Sequence, residues 1–101
     1  MKIDKIKSYL GFAIRSGNVI FGSDKLFDTT KKSKLVIICS TQNEKVTNKV
    51  LKYCDEREIK SIRLDNLILA DLVGRDNCKV IGVLDYSLAS AIINEFQMEN
   101  E

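Results

Sequence analysis

Along the first segment, Ile3, Ile6, Leu10, Ala13 and Ile14 recur at steps of three and four, while Lys2, Lys5 and Lys7 fall off that face. This is the 3.6-residue period of an amphipathic helix. Ser16-Gly17 is a helix C-terminal signal. Asn18 to Phe21 is a short β-branched and aromatic run, and Gly22-Ser23-Asp24 then offers small, capping-type residues before a second, weaker helix expected to reach Lys31. Leu35 to Cys39 is apolar without alternation, as in a strand covered on both faces. Thr41 and Glu44 have capping-box spacing, and Val46, Val50, Tyr53 and Cys54 follow at helical spacing. Ser61 to Leu64 alternates like a strand, Asp65 caps a helix expected over Leu67 to Val73, and Gly74 ends it. Val80 to Leu84 reads as another buried strand; Leu88, Ala91, Ile92 and Phe96 mark a last helix after Asp85, with a frayed tail.

Alternating helices and strands predict an α/β fold, a three-layer α/β/α sandwich around a four-stranded mixed or parallel sheet. With 101 residues, no Pro and no low-complexity linker, residues 1–101 are expected to form one domain.

Composition narrows the chemistry. The chain has no His, which removes Ser-His-Asp, Cys-His and His-ligated metal chemistry. Cys39, Cys54 and Cys78 are widely spaced and odd in number, so they predict buried, reduced thiols in a cytoplasmic protein and not a disulfide framework or a zinc site. The glycines form neither a dinucleotide nor a P-loop fingerprint, the carboxylates are scattered on helix surfaces, and no apolar run approaches a membrane span. No cofactor, metal or membrane is implied.

Charge is uneven. Residues 1–34 carry eight basic and three acidic side chains, a net +5, whereas residues 35–101 carry eight and eleven, a net −3. A basic pole suits a polyanion, and Lys25, Lys31, Lys34 and Arg75 are the candidate phosphate contacts.

The stretch from Leu10 to Gly22, reading LGFAIRSGNVIFG, resembles the "LG-x-A-x-R-A-G-K" opening of the kink-turn RNA-binding ribosomal protein superfamily of the L7Ae and L30e type, in particular its small bacterial YlxQ-like members. The likeness continues through the basic turn and apolar strand of Lys31 to Ser40, and through Leu69-Ala70 to Gly74-Arg75, where the family has "LG-x-x-x-G-K". The resemblance implies a non-enzymatic protein that binds structured or ribosomal RNA through three loops. These correspond to the start of the second helix (Gly22, Ser23, Asp24, Lys25, to Asp28), the turn Ser40, Thr41 to Asn43, and the loop Gly74, Arg75, Asp76, Asn77 to Cys78.

At the first loop the family signature is Gly-x-Asn-Glu-x-x-Lys, and here only Gly22 is kept. Asp24 accepts but cannot donate, Lys25 donates but cannot accept, and Asp28 repels phosphate where a lysine would attract it. The altered signature keeps two other readings open: a protein-interaction module of the same fold that has lost RNA binding, and the substrate-binding domain of an RNA-modifying enzyme.

Overall fold

The computed structural model describes residues 2–64 and 79–99, in the order α1 (Lys2–Arg15), β1 (Val19–Phe21), α2 (Ser23–Asp28), β2 (Leu35–Cys39), α3 (Glu44–Glu56), β3 (Lys60–Leu64), β4 (Val80–Val83) and α4 (Tyr86–Glu99). The helix expected over Leu67 to Val73 and the loop Gly74 to Cys78 lie outside these residues. The sheet order is β1-β4-β2-β3. β4 is antiparallel to both β1 and β2, and β2 is parallel to β3, so the sheet is mixed.

All five residues of β2 are buried. Because successive side chains point to opposite faces, Leu35, Ile37 and Cys39 join Ile6, Leu10, Ile81, Val83 and Ile92 beneath α1 and α4. Val36 and Ile38 join Leu26, Val50, Tyr53, Cys54 and Val80 beneath α2 and α3. The unbroken apolar run is therefore the centre of a sandwich, as expected. Ile14, on the same apolar face of α1 as Ile6 and Leu10, packs against this cluster and is partly buried.

Helix ends show where local chemistry wins. Gly17 takes φ 76°, Gly17 N–H donates to the Ile14 carbonyl at 3.2 Å and Asn18 N–H to the Ala13 carbonyl at 2.9 Å. That double bond is the glycine-terminated closure expected at Ser16-Gly17. α2 stops at Asp28, short of the expected Lys31. Thr29 is extended (φ −82°, ψ 148°), and its hydroxyl accepts from Lys31 N–H at 3.2 Å, so the side chain replaces the helical bond. The cap of α3 is Asn43, whose Oδ1 accepts from Val46 N–H at 3.1 Å, and not Thr41. Thr41 is held by the Cys39 sulfur, with its hydroxyl 3.0 Å away. Asp85 caps α4, its carboxylate accepting from Leu88 N–H at 2.9 Å.

Cys39 and Cys54 are buried free thiols. Burial raises the Cys54 thiol to about 11, only partly offset by the Arg57 charge. It is protonated and unreactive near neutrality.

Candidate nucleic-acid interface

β1 and β2 end, and β4 begins, at the same edge of the sheet, and backbone bonds tie the three chain segments together there. Gly22 N–H donates to the Val80 carbonyl at 2.8 Å, and Cys39 N–H to the Lys79 carbonyl at 2.7 Å. Ser40 N–H extends the ladder to the Leu64 carbonyl at 2.8 Å. Two of the three expected loops are thus neighbours by construction.

Between them opens a cleft of about 330 Å³, lined by Gly22, Ser23, Asp24 and Lys25, by Gln42 of the β2–α3 turn, and by Lys79 at the entry to β4. Gly22 makes the turn into α2 with φ 90°, a conformation that L side chains rarely adopt. Space is not the reason, since a Cβ built there meets nothing within 4 Å. No side chain caps α2. Gln42 accepts from Asn43 N–H through Oε1 at 2.9 Å, which leaves its amide nitrogen as the end that can address a ligand.

The arrangement combines two ammonium groups (Lys25 and Lys79), one carboxylate (Asp24), a hydroxyl (Ser23) and an amide (Gln42). Ammonium groups suit phosphate, while the hydroxyl, amide and carboxylate suit base edges and ribose hydroxyls. Among the described residues no group of three or more His, Cys, Asp or Glu could hold a metal. Among the same residues no helix is long and apolar enough to cross a membrane.

The remaining candidates divide. Ser40 and Thr41 are exposed at the same end of the sheet, beside the cleft but not in its lining. Asp28, one turn along α2, lines different clefts with Lys25. Lys31 lines a cleft of about 370 Å³ along the outer side of β1, with Gly17, Val19 and Leu84. Lys34 stands before β2, where its N–H donates to the Val83 carbonyl at 2.7 Å. The six steps from Lys34 to Ser40 at about 3.3 Å each put these two residues about 20 Å apart, at opposite ends of the sheet. Although Lys31 is only nine residues from Gly22 in sequence, α2 carries the chain back across the sheet before it. Gly74, Arg75, Asp76 and Asn77 lie outside the described residues.

Sequence reasoning singled out neither Gln42 nor Lys79. Gln42 lies inside the turn it named, and Lys79 directly follows its third loop, so the strand boundaries were signal enough.

An α/β/α sandwich with polar and cationic loops gathered at one sheet end defines the class. The chain belongs to the ribosomal protein L7Ae/L30e/S12e/Gadd45 family, whose model matches residues 4–92. Its fold is similar to that of a protein of unknown function from Bacillus halodurans C, with a TM-score of 0.85 and 23% sequence identity over 92% of this chain and 97% of that one. No curated protein matches the chain.

Proposed function

We propose that the protein is a non-enzymatic, cytoplasmic RNA-binding protein that holds structured RNA, of the kink-turn or ribosomal kind, against the loop end of the sheet. The observation that carries this reading is the convergence of Gly22 to Lys25, Gln42 and Lys79 in one cleft. Family membership over residues 4–92 supports it. The LGFAIRSG opening further favours the small bacterial YlxQ-like type within the family.

In this reading Lys25 and Lys79 neutralise phosphates, Ser23 and Gln42 address ribose hydroxyls or base edges, and Asp24 accepts from base N–H groups. By the family resemblance, Gly74, Arg75, Asp76 and Asn77 are proposed as further contacts. Charged contacts of this kind make binding salt-dependent, because each neutralised phosphate releases counterions. RNA shift assays across a salt series test the placement. Lys25→Ala and Lys79→Ala should each flatten the log–log slope by about one unit. Lys34→Ala, at the far end, should leave it unchanged; the reverse pattern would put the RNA on the other end of the sheet.

A further inference from the structure

Phe27, Lys49, Lys52, Tyr53 and Arg57 on the α2–α3 face do not line the loop-end cleft. Tyr53, buried at 9% exposure, lies between two neighbours on this face. The Phe27 ring packs against it with centroids 5.3 Å apart and planes tilted by 58°. At the C-terminal cap of α3, the Arg57 guanidinium carbon sits 4.0 Å from the Tyr53 ring centroid. Lys49 and Tyr53 lie four residues apart on one stripe of α3, and Arg57, its C-terminal cap, continues the spacing. With Lys52 and Glu56 they line a groove of about 270 Å³ that reaches Phe27 across the helix pair. Three cations face one carboxylate there.

This groove is continuous with the loop end. Asp24 and Lys25 line both the loop-end cleft and a shallow cleft on the outer side of α2; Phe27 lines that second cleft and the α2–α3 groove. α2 is thus a short bridge with a ligand-sized depression on each side. Phe27 is a large apolar ring left 37% exposed at the middle of that track. An exposed ring beside an Arg plane held on a second ring, rimmed by lysines, suits stacked bases and a phosphate chain. Lysine depletion at protein–protein contact cores argues against a protein occupant.

We infer that the α2–α3 groove, floored by Tyr53 between Phe27 and Arg57, is a second RNA contact that stacks a single-stranded segment leaving the loop-end cleft. The inference rests on the RNA-binding reading and extends it to an RNA whose structured part carries an unpaired tail. Phe27 takes a base on its open face, Arg57 offers its outer guanidinium plane to another, and Lys49 and Lys52 follow the phosphates.

The test uses three probes: a blunt kink-turn hairpin, the same hairpin with an oligouridine tail, and the oligouridine alone. The tail should tighten binding about tenfold, the scale of one good base–aromatic stack. Phe27→Ala should abolish that gain. Lys49→Ala with Lys52→Ala, two exposed changes that leave the core intact, should reduce it about threefold or more through lost phosphate contacts. The blunt hairpin should bind all variants equally. A tail that adds nothing, or adds as much to the lysine variant as to the wild type, overturns the inference; salt-dependent binding of the blunt hairpin, even if weak, then leaves the loop-end reading standing. Oligouridine bound through the two lysines with no affinity for the hairpin would keep the groove and overturn the loop-end reading. No binding of any probe overturns both.

Discussion

Among the described residues, twelve buried side chains form one apolar cluster beneath α1 and α4, whereas eight form the cluster beneath α2 and α3. The same strand feeds both: Leu35, Ile37 and Cys39 on one side, Val36 and Ile38 on the other. The first layer joins the two longest helices among the described residues, of 14 residues each. The second joins a six-residue helix to one of 13 and places Lys25, Phe27, Lys49, Lys52 and Arg57 on its outer side. Among the described residues, the first layer is therefore the anchoring one and the second the thinner. Even the buried acid of the anchoring layer, Glu95, is directed at another helix, with Oε1 3.8 Å from Lys5 Nζ.

Truncation in the larger cluster should produce the greatest effect and break the comparison if it does not. Ile37 is fully buried in the anchoring layer and pairs with Ile81 across the antiparallel β2–β4 ladder. Ile37→Ala should lower stability by about 2–5 kcal/mol, the range for a buried aliphatic side chain whose site cannot collapse. Ile38→Ala, on the other face of the same strand, should fall at the lower end of that range because α2 is short and can settle inward. Urea unfolding of the two variants decides it; equal losses would mean that the layers support the sheet alike.

The next effect belongs to the thinner layer alone. Cys54 is 2% exposed, and burial raises its thiol from 9.0 to about 11. An acid whose folded pKa is raised binds its proton more tightly in the native state, so its contribution is complete below pH 9 and is lost as pH climbs towards 11. A shift of this size corresponds to at most about 2–3 kcal/mol. Wild-type stability should therefore drop more steeply across that window than that of Cys54→Ala, whatever the packing cost of the variant at neutral pH. Parallel pH profiles would show that Cys54 does not carry the linkage.

Which parts of this design the amino-acid order reveals depends on whether the controlling interaction is local. β2 and β4 are visible as apolar runs, and the end of α1 is visible at Gly17, because burial on both faces and a positive φ each demand particular residues. Strand direction is not visible, since apolar runs read alike in parallel and antiparallel ladders. The early stop of α2 and the Asn43 cap were decided by competition between neighbouring polar side chains, with Thr29 taking the Lys31 N–H and Cys39 taking Thr41. The far position of Lys34 was hidden for another reason: residues close in sequence are separated by a helix that reverses the chain. Tyr53 has core spacing and is buried; Arg57 follows it by four residues, but the packing of Phe27 on the same ring emerges only when α2 is placed beside α3.

The smallest expected effect in free energy separates charge from base recognition at the start of α2. Asp24 and Lys25 line the loop-end cleft and Asp28 does not, so restoring the family signature by Asp24→Asn, Lys25→Glu and Asp28→Lys divides into two kinds of change. The first two place groups that can pair with base edges in the cleft: an amide that both donates and accepts, and a carboxylate that accepts from guanine N–H groups. The third adds a cation one turn away, where it can meet phosphate only. Net charge changes by +1, −2 and +2, a total of +1, so general attraction should gain no more than about one phosphate contact. Base-edge pairing contributes roughly 1–3 kcal/mol per good pair by analogy with groove readout in DNA. The wild-type chain should bind a standard kink-turn weakly and the triple variant about tenfold or more tightly, which is about 1.4 kcal/mol. Asp28→Lys alone should steepen the salt slope without improving discrimination, and the Asp24→Asn, Lys25→Glu pair should restore discrimination while flattening the slope. If the tenfold gain persists when the sheared G·A pairs are replaced by Watson–Crick pairs, it comes from charge. A triple variant that gains nothing would mean that the cleft between Gly22, Gln42 and Lys79 does not read bases in the manner of the family, and that phosphate contact alone holds RNA at this end of the sheet.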